Sequence, residues 1–156
     1  MALTKIADAG MPSGAVLQVV QTVKTDDFST SSTSFVDITG LSAAITPLST
    51  SSKVLVDVRI GGYDCSAASA ALFNIVRDDT TLSTGTAGTG TACTFAITIN
   101  TDRGENASMC LLDSPSTTSA TTYKIQMRSF GNTIDINKRT GIHSNISTLT
   151  LTEIAG

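Results

Sequence analysis

Acid–base or nucleophilic catalysis needs an activated side chain, and this sequence holds a single imidazole, His143. A Ser or Cys nucleophile depends on such a base within hydrogen-bond reach. His143 falls in a polar stretch, residues 139–145, just ahead of the last predicted strand. A solvated loop histidine is the favoured interpretation there, and no neighbouring residue supports a pH-sensing role. We therefore predict no catalytic residues and a protein that is not an enzyme.

Two acidic doublets, Asp26-Asp27 and Asp78-Asp79, are the other candidates for chemistry. Paired carboxylates catalyse glycoside hydrolysis when both face the same bond. Neighbouring side chains of an extended chain point to opposite sides, so such doublets rarely converge. Turn formation and solvation of strand ends are the favoured roles. A calcium ion on the loop 78–91, completed by carbonyl oxygens, is the alternative that the sequence leaves open.

The three cysteines and a glycine-rich loop do not indicate a cofactor site. Cys65, Cys93 and Cys110 have no CxxC spacing, and a zinc site would need all three together with His143. Cys93 and Cys110 fall in apolar segments, where a small buried thiol is expected. The loop 85–91 lacks the lysine of a phosphate-binding loop. Apart from the calcium alternative, we expect no metal and no cofactor.

Composition excludes two classes of partner. The 156 residues carry a net charge of −3, and the ten Lys and Arg residues form no cluster, with only Lys138 and Arg139 adjacent. A nucleic-acid-binding protein would show a basic cluster to neutralise phosphates, so no nucleic acid is expected. No stretch approaches the roughly 20 apolar residues of a membrane span, which predicts no membrane insertion. The N-glycosylation sequons at Asn106 and Asn145 are interpreted as chance matches.

The elements that must position any site are predicted to be strands. The sequence contains 26 Thr and 19 Ser residues that alternate with short runs of Val, Ile and Leu. Between Val54 and Ile60 the apolar residues recur at every second position, the period of a half-buried strand. Comparable segments, separated by turn residues, are 15–23, 33–39, 41–46, 53–60, 70–77, 92–99, 105–112, 121–128, 134–136 and 146–154.

This arrangement predicts an all-β fold, a jelly-roll-like antiparallel β-sandwich formed by residues 15–156. Residues 1–14 lack periodicity and are interpreted as a short extended N-terminal arm. A sandwich of this kind exposes edge strands, which invite pairing with other chains. We expect those edges to be covered by an oligomer or by the arm.

Several segments resemble a domain of bacteriophage tail-fibre-like and virion structural proteins, especially those of aquatic phages. The similarity runs from residue 14 to 28 and recurs in Ser34-Phe-Val-Asp-Ile-Thr-Gly-Leu41, Ser52-Lys-Val-Leu-Val56 and residues 112–126. The opening Ala2-Leu-Thr-Lys-Ile6 is similar to the start of many phage fibre proteins. The resemblance implies an exterior virion component, a homotrimer assembled in the bacterial host cytoplasm. It implies no site residues.

For a virion component of this kind, the places of the arm and of the loops in the chain predict two sets of contact residues. Leu3, Lys5, Ile6 and Met11 would anchor the arm to other phage virion proteins of the tail, baseplate or capsid. The loops 61–69, 78–91 and 100–106 would form the exposed end and contact a host surface glycan or protein, through Tyr63, Asp64, Asp78, Asp79 and Arg103.

Two alternatives remain open at this point. One is a capsid decoration protein, a cement or head-fibre component that stabilises the shell. The other is a carbohydrate-binding module, which the absence of Trp and the presence of only two Tyr residues disfavour.

Overall fold

Every regular element in the part of the chain that the structure describes is a β-strand. The computed structural model describes residues 11–65, 67, 69–82, 84–86, 90–99, 106–139 and 143–156, without the side chains of residues 63, 99, 139 and 143. Within those residues, no helix has the length and apolar character needed to cross a membrane. The strands are β1 Val16–Lys24, β2 Phe28–Thr30, β3 Val36–Ile45, β4 Lys53–Ile60, β5 Tyr63–Cys65, β6 Ser69–Arg77, β7 Thr80–Leu82, β8 Phe95–Ile99, β9 Ala107–Asp113, β10 Thr121–Ser129, β11 Ile134–Ile136, β12 Lys138–Arg139, β13 His143–Ser144 and β14 Ser147–Ile154.

Two antiparallel sheets form the sandwich. The first sheet has the order β1-β14-β4-β9, and the second has the order β3-β10-β6, with β7 and β8 both paired to the outer side of β6. Among the eight principal strands β1, β3, β4, β6, β8, β9, β10 and β14, the first pairs with the last, the second with the seventh, the third with the sixth and the fourth with the fifth. A long antiparallel hairpin rolled into two sheets gives this pattern, the jelly roll. The predicted fold class is confirmed.

The core lies between the two sheets and follows the period-two pattern. Val54, Val56 and Val58 of β4 are fully buried, and Leu149 and Leu151 of β14 lie beside them. Tyr123, Ile125 and Met127 face them from β10. Fully burying an aliphatic side chain contributes about 1.5–3 kcal/mol, so this alternation fixes the register of both sheets.

One predicted boundary is wrong. Segments 33–39 and 41–46 were expected as two strands separated at Gly40, whereas β3 runs without a break from Val36 to Ile45. The pairing with β10 shows a bulge at Gly40, since Lys124 faces Ser42 and Gln126 faces Asp37, so that β3 carries extra residues between these two pairs. Gly40 adopts φ +80° there, which glycine allows without strain. Glycine here bends one strand and does not end it.

The predicted loops are also more ordered than expected. Loop 61–69 contains β5 and the first residue of β6, and loop 78–91 contains β7. Short strands complete two small sheets, β2-β11-β5 and β12-β13. Both small sheets lie beyond the strand ends near Lys24 and Ile60.

The sandwich has two ends. At the first, here called the terminal end, the backbone of Gly14 bonds to that of Ala155, and the turn at 78–79 and the connection 114–120 lie close by. The opposite end, here called the far end, carries the β1–β2 turn, Gly61-Gly62 and the residues preceding β14. Eight steps along β6 from Ser69 to Arg77 separate the two ends by about 26 Å.

Candidate binding site

A depression of about 340 Å³ opens at the far end, where three segments of the first sheet meet. Ile60 of β4 lies opposite Ala107 of β9, and Arg59 lies opposite Thr148 of β14, so the ends of three neighbouring strands lie side by side. The lining residues are Arg59, Ile60, Gly61, Asn106, Ala107, Ser108, Asn145 and Ile146.

Asn137 holds these segments together from beneath. It is 1% exposed and adopts φ +63°, a left-handed conformation that Asn tolerates better than most residues. Its Nδ2 donates to the carbonyl oxygens of Lys24 at 3.0 Å and Asp26 at 2.9 Å. Its Oδ1 accepts a hydrogen bond of 2.6 Å from the Ser147 hydroxyl. The β1–β2 turn is thereby tied to the start of β14.

Gly61 completes the network. Its N–H donates to Ser147 Oγ at 3.0 Å, and its carbonyl accepts from the Asn137 N–H at 3.3 Å. The Asn145 N–H donates to the Asn137 carbonyl at 2.8 Å. A Cβ at position 61 would overlap the carbonyl oxygen of Ile146, so only glycine allows this close approach. The wall formed by Asn145 and Ile146 is therefore held in place before any ligand arrives.

The polar groups of the depression are available to a ligand. In the described part of the chain, the side chains of Asn106, Ser108 and Asn145 make no hydrogen bond. Arg59 is 71% exposed and uses one guanidinium nitrogen to contact Asp57 Oδ2 at 3.2 Å, which leaves its other N–H donors free. Ile146, 54% exposed, adds an apolar surface. The described lining residues offer amide, hydroxyl, guanidinium and aliphatic groups, which can bind a polar ligand.

The structure separates the predicted exposed-loop residues. Tyr63 and Asp64 belong to β5 at the far end, whereas Asp78 and Asp79 form the β6–β7 turn at the terminal end. Arg103 lies outside the described residues. The prediction that these loops share one exposed end is therefore wrong for Asp78 and Asp79, because β6 runs the length of the sandwich between them and β5.

The Asp78-Asp79 turn has a structural role. Asp78 adopts φ +50°, and its Oδ1 accepts a hydrogen bond of 2.9 Å from the Thr122 N–H. Its own N–H donates to the Thr122 carbonyl at 2.8 Å. Among the described residues, no group of three or more His, Cys, Asp or Glu side chains is placed to hold a metal ion. The calcium alternative gains no support from the described part of this loop.

The predicted anchoring residues are only partly described. Met11 is half-buried next to the turn at residues 12–15, in which the Ala15 N–H donates to the Pro12 carbonyl. Leu3, Lys5 and Ile6 lie outside the described residues. Because the Gly14 N–H donates to the Ala155 carbonyl, the chain enters the sandwich at the terminal end.

The cysteines differ from expectation. Cys65 is buried, but Cys110 is exposed on the outward side of β9 and Cys93 is half-buried just before β8. The expectation of two buried thiols at 93 and 110 is wrong, because in β9 it is Met109 and Leu111 that pack against the core and Cys110 falls on the opposite face. Burial raises the pKa of the Cys93 thiol.

A partly buried polar cluster links the two sheets near the terminal end. The Asp113 carboxylate of β9 accepts from Arg77 Nη1 of β6 at 2.7 and 2.9 Å, and from the Tyr123 hydroxyl of β10 at 2.7 Å. Tyr123 is fully buried, and this burial, with its proton held by Asp113, raises its pKa. The cluster forms a bridge between the sheets, which the sequence does not reveal because its members lie 36 and 10 residues from Asp113.

The outward face of the first sheet combines exposed aliphatic side chains with a ladder of threonines. One row crosses all four strands in register, Val19 of β1, Thr152 of β14, Leu55 of β4 and Leu112 of β9. Val19 is 58% exposed and Leu112 is 54% exposed. Thr148 and Thr150 continue the threonine ladder on the same face. We call this surface the outer face.

Comparisons with known proteins give structural likeness only. No protein-family model matches the sequence, and no curated protein matches it. Similar solved structures include "Structure of infectious bursal disease virus Gx strain", 13% identical, with a TM-score of 0.45 over 92% of this chain and 39% of that one. Another is "Crystal structure of infectious bursal disease virus VP2 subviral particle", 15% identical, with a TM-score of 0.40 over 89% of this chain and 38% of that one. This chain thus spans about two fifths of each viral chain. At these identities and TM-scores the likeness carries no functional conclusion.

Proposed function

We propose that this chain is a non-enzymatic structural protein of a bacteriophage virion, an exterior tail-fibre-like or baseplate/collar component that forms homotrimers. The observation that carries the proposal is the outer face. Sheets of monomeric antiparallel sandwiches usually turn polar side chains to water. Here a row with two half-exposed aliphatic side chains, Val19 and Leu112, crosses the whole sheet.

The composition of the outer face suits association with further copies. Its charged residues on β4 are Lys53, Asp57 and Arg59. Asp57 and Arg59 pair with each other at 3.2 Å, and Arg59 lies at the far-end margin of the face, outside the row that contains Val19 and Leu112. Gln21 Nε2 donates to Thr150 Oγ1 at 2.8 Å, so part of the polar surface is satisfied within the chain. Depletion of charge and enrichment of aliphatic groups are typical of the centre of a subunit interface.

The position of Gly14 supports an orientation. Residues 1–13 would meet the particle at the terminal end, so the far end would point away from it. Strand β5, which carries Tyr63 and Asp64, and the depression beside Asn145 would then lie at the end of the protein that is remote from the particle. Asp78 and Asp79, at the terminal end, would face the particle.

Sedimentation of the purified chain tests the trimer. We expect about three times the 16.1 kDa chain mass for the native protein. The double variant Val19→Lys and Leu112→Lys should sediment as a monomer with unchanged circular dichroism. Phe130→Lys, which changes an equally exposed apolar side chain elsewhere, is the matched control and should remain a trimer. A native monomer at micromolar concentration would refute the oligomer.

Particle incorporation tests the virion role. Gold-labelled antibody should mark purified particles, and deletion of residues 2–13 should abolish the label while the isolated protein stays folded. Normal incorporation of the truncated chain would show that the arm is not the anchor. Particles lacking the protein should keep their heat resistance; earlier bursting on heating would favour a decoration protein of the capsid.

A further inference from the structure

We infer that the depression at the far end binds an acidic saccharide, a sugar ring that carries a carboxylate. The inference rests on the proposed function, since a virion appendage would meet such a ligand as part of a host-surface glycan. The sequence marks Asn106 and Asn145 only as sequons and does not predict this site, because its lining comes from three segments that only the jelly roll brings together.

The lining matches the chemistry of such a ring. Asn106 and Asn145 each offer an amide that can both donate and accept, and Ser108 adds a hydroxyl. Vicinal sugar hydroxyls also donate and accept, so neutral amides can bind them without the desolvation cost of a charged group. Within the described residues, these three lining side chains make no hydrogen bond to another part of the protein.

The carboxylate would be bound by Arg59. Its guanidinium contacts Asp57 through one nitrogen only, at 3.2 Å, and the planar fork of a guanidinium can bind a second carboxylate in a bidentate manner. None of the described residues that line the depression is acidic. A neutral ring would leave this arginine unused, which is why we assign an acidic ring.

The apolar part of the site is Ile146. Its side chain is 54% exposed, although the backbone around it is fixed through Asn145 and Gly61. The C–H face of a pyranose ring can pack on such an aliphatic surface. The volume of about 340 Å³ lies at the lower limit of small-molecule sites, which suits one or two rings and a weak contact that many copies would reinforce.

The test is a titration of the ¹⁵N-labelled full chain followed by NMR, with glucuronate, methyl glucoside and acetate as the probes. We expect saturable shifts of the Asn106 and Asn145 side-chain amides with glucuronate, with a dissociation constant of about 1 mM. Methyl glucoside should bind about tenfold more weakly because it lacks the charged hydrogen bonds. Acetate alone should not saturate the site.

Variants separate the roles of the lining residues. Arg59→Gln should weaken glucuronate binding about tenfold and change methyl glucoside binding less than about twofold. Asn145→Ala should weaken both sugars by about threefold to tenfold. Lys124→Gln removes one cation from the opposite sheet and should change neither. The spectra themselves show whether each variant is folded.

Three results would overturn the inference: no saturable shift with either sugar, shifts that map away from the three lining segments, or equal glucuronate affinity in wild type and Arg59→Gln. These results concern the isolated chain. Failure of the proposed function would show instead as unlabelled particles or a monomeric native protein, with sugar binding unaffected.

Discussion

Replacing Tyr123 by Phe removes one atom from the bridge between the sheets. The Tyr123 hydroxyl donates to Asp113 at 2.7 Å from a fully buried position. Arg77 still contacts both Asp113 oxygens in the variant, so the carboxylate keeps a partner. A hydrogen bond to a charged group contributes about 1.5–3 kcal/mol, and the phenyl ring fills the same volume without a hydroxyl to desolvate. We expect a loss of about 2 kcal/mol near neutral pH.

The pH dependence of that loss is the sharper expectation. Burial, with the proton held by Asp113, raises the pKa of Tyr123 above its ordinary value. An unfolded tyrosine ionises near pH 10. Above that pH the folded chain holds a proton that the unfolded chain has released, so stability falls as the pH rises toward the folded pKa. The contribution is complete below about pH 10 and falls by about 1.4 kcal/mol for each further pH unit.

Urea unfolding of wild type and Tyr123→Phe at pH 8, 9, 10 and 11 measures this difference directly. Other titrating groups are common to both proteins and cancel. The variant should be less stable by about 2 kcal/mol at pH 8, equivalent to about 4–8 °C in melting temperature, and most of the gap should close by pH 11. A gap that stays constant from pH 8 to 11 would show that Tyr123 does not keep its proton in the folded state.

Three further substitutions test the remaining structure. Gly61→Ala should lower the free energy of unfolding by more than about 2 kcal/mol, because the new Cβ would overlap the Ile146 carbonyl oxygen. Gly90→Ala, where the Cβ would meet open space, should change it by less than about 0.5 kcal/mol. Equal melting temperatures of the two variants would contradict the packing described. Asn137→Ala should lower the free energy of unfolding in urea by about 3 kcal/mol, because two carbonyls and the Ser147 hydroxyl lose their partner and a residue other than Asn or Gly is strained at φ +63°. Asn137→Gly should recover only the part due to backbone strain. Full recovery of stability in Asn137→Gly would show that the hydrogen bonds contribute nothing. Lys24→Met should leave the melting temperature nearly unchanged, because an apolar side chain can replace a buried ammonium whose partner, Asp26, remains in water. A large drop in melting temperature would mean that the ion pair between Lys24 and Asp26 is needed for stability.

The sequence predicts the sandwich well because burial enforces the period of two. β4, β10 and β14 each place an unbroken row of buried side chains on one face, and their boundaries agree with prediction to within two residues. β3 was divided in error because glycine signals both strand ends and bulges. Only the partner strand, through the register of Lys124 and Gln126, distinguishes the two cases.

The candidate site was not predictable in the same way. Asn106 and Asn145 attract notice only as sequons, and the residue that fixes their surroundings, Asn137, has no sequence signature. Asn137 adopts a left-handed conformation, and its hydrogen bonds reach Lys24 and Asp26, which lie more than 110 positions earlier in the chain. Contacts between residues so far apart in the sequence arise when the long hairpin folds into two sheets, and local sequence patterns do not predict how it folds.

The edges of the sandwich bear on how copies associate. We expected an oligomer or the arm to cover them, but on the β1–β3 side the chain does this itself. Gln18 Nε2 donates to the Thr46 carbonyl at 2.8 Å, and Thr22 Oγ1 donates to the Ser42 carbonyl at 2.8 Å. Side chains of β1 thus occupy carbonyls along β3 that another strand would need for pairing. Strand addition at this edge is disfavoured, which supports a trimer formed through the outer face rather than through β3. Substitutions at Gln18 or Thr22 should therefore lower the stability of the fold without dissociating the subunits.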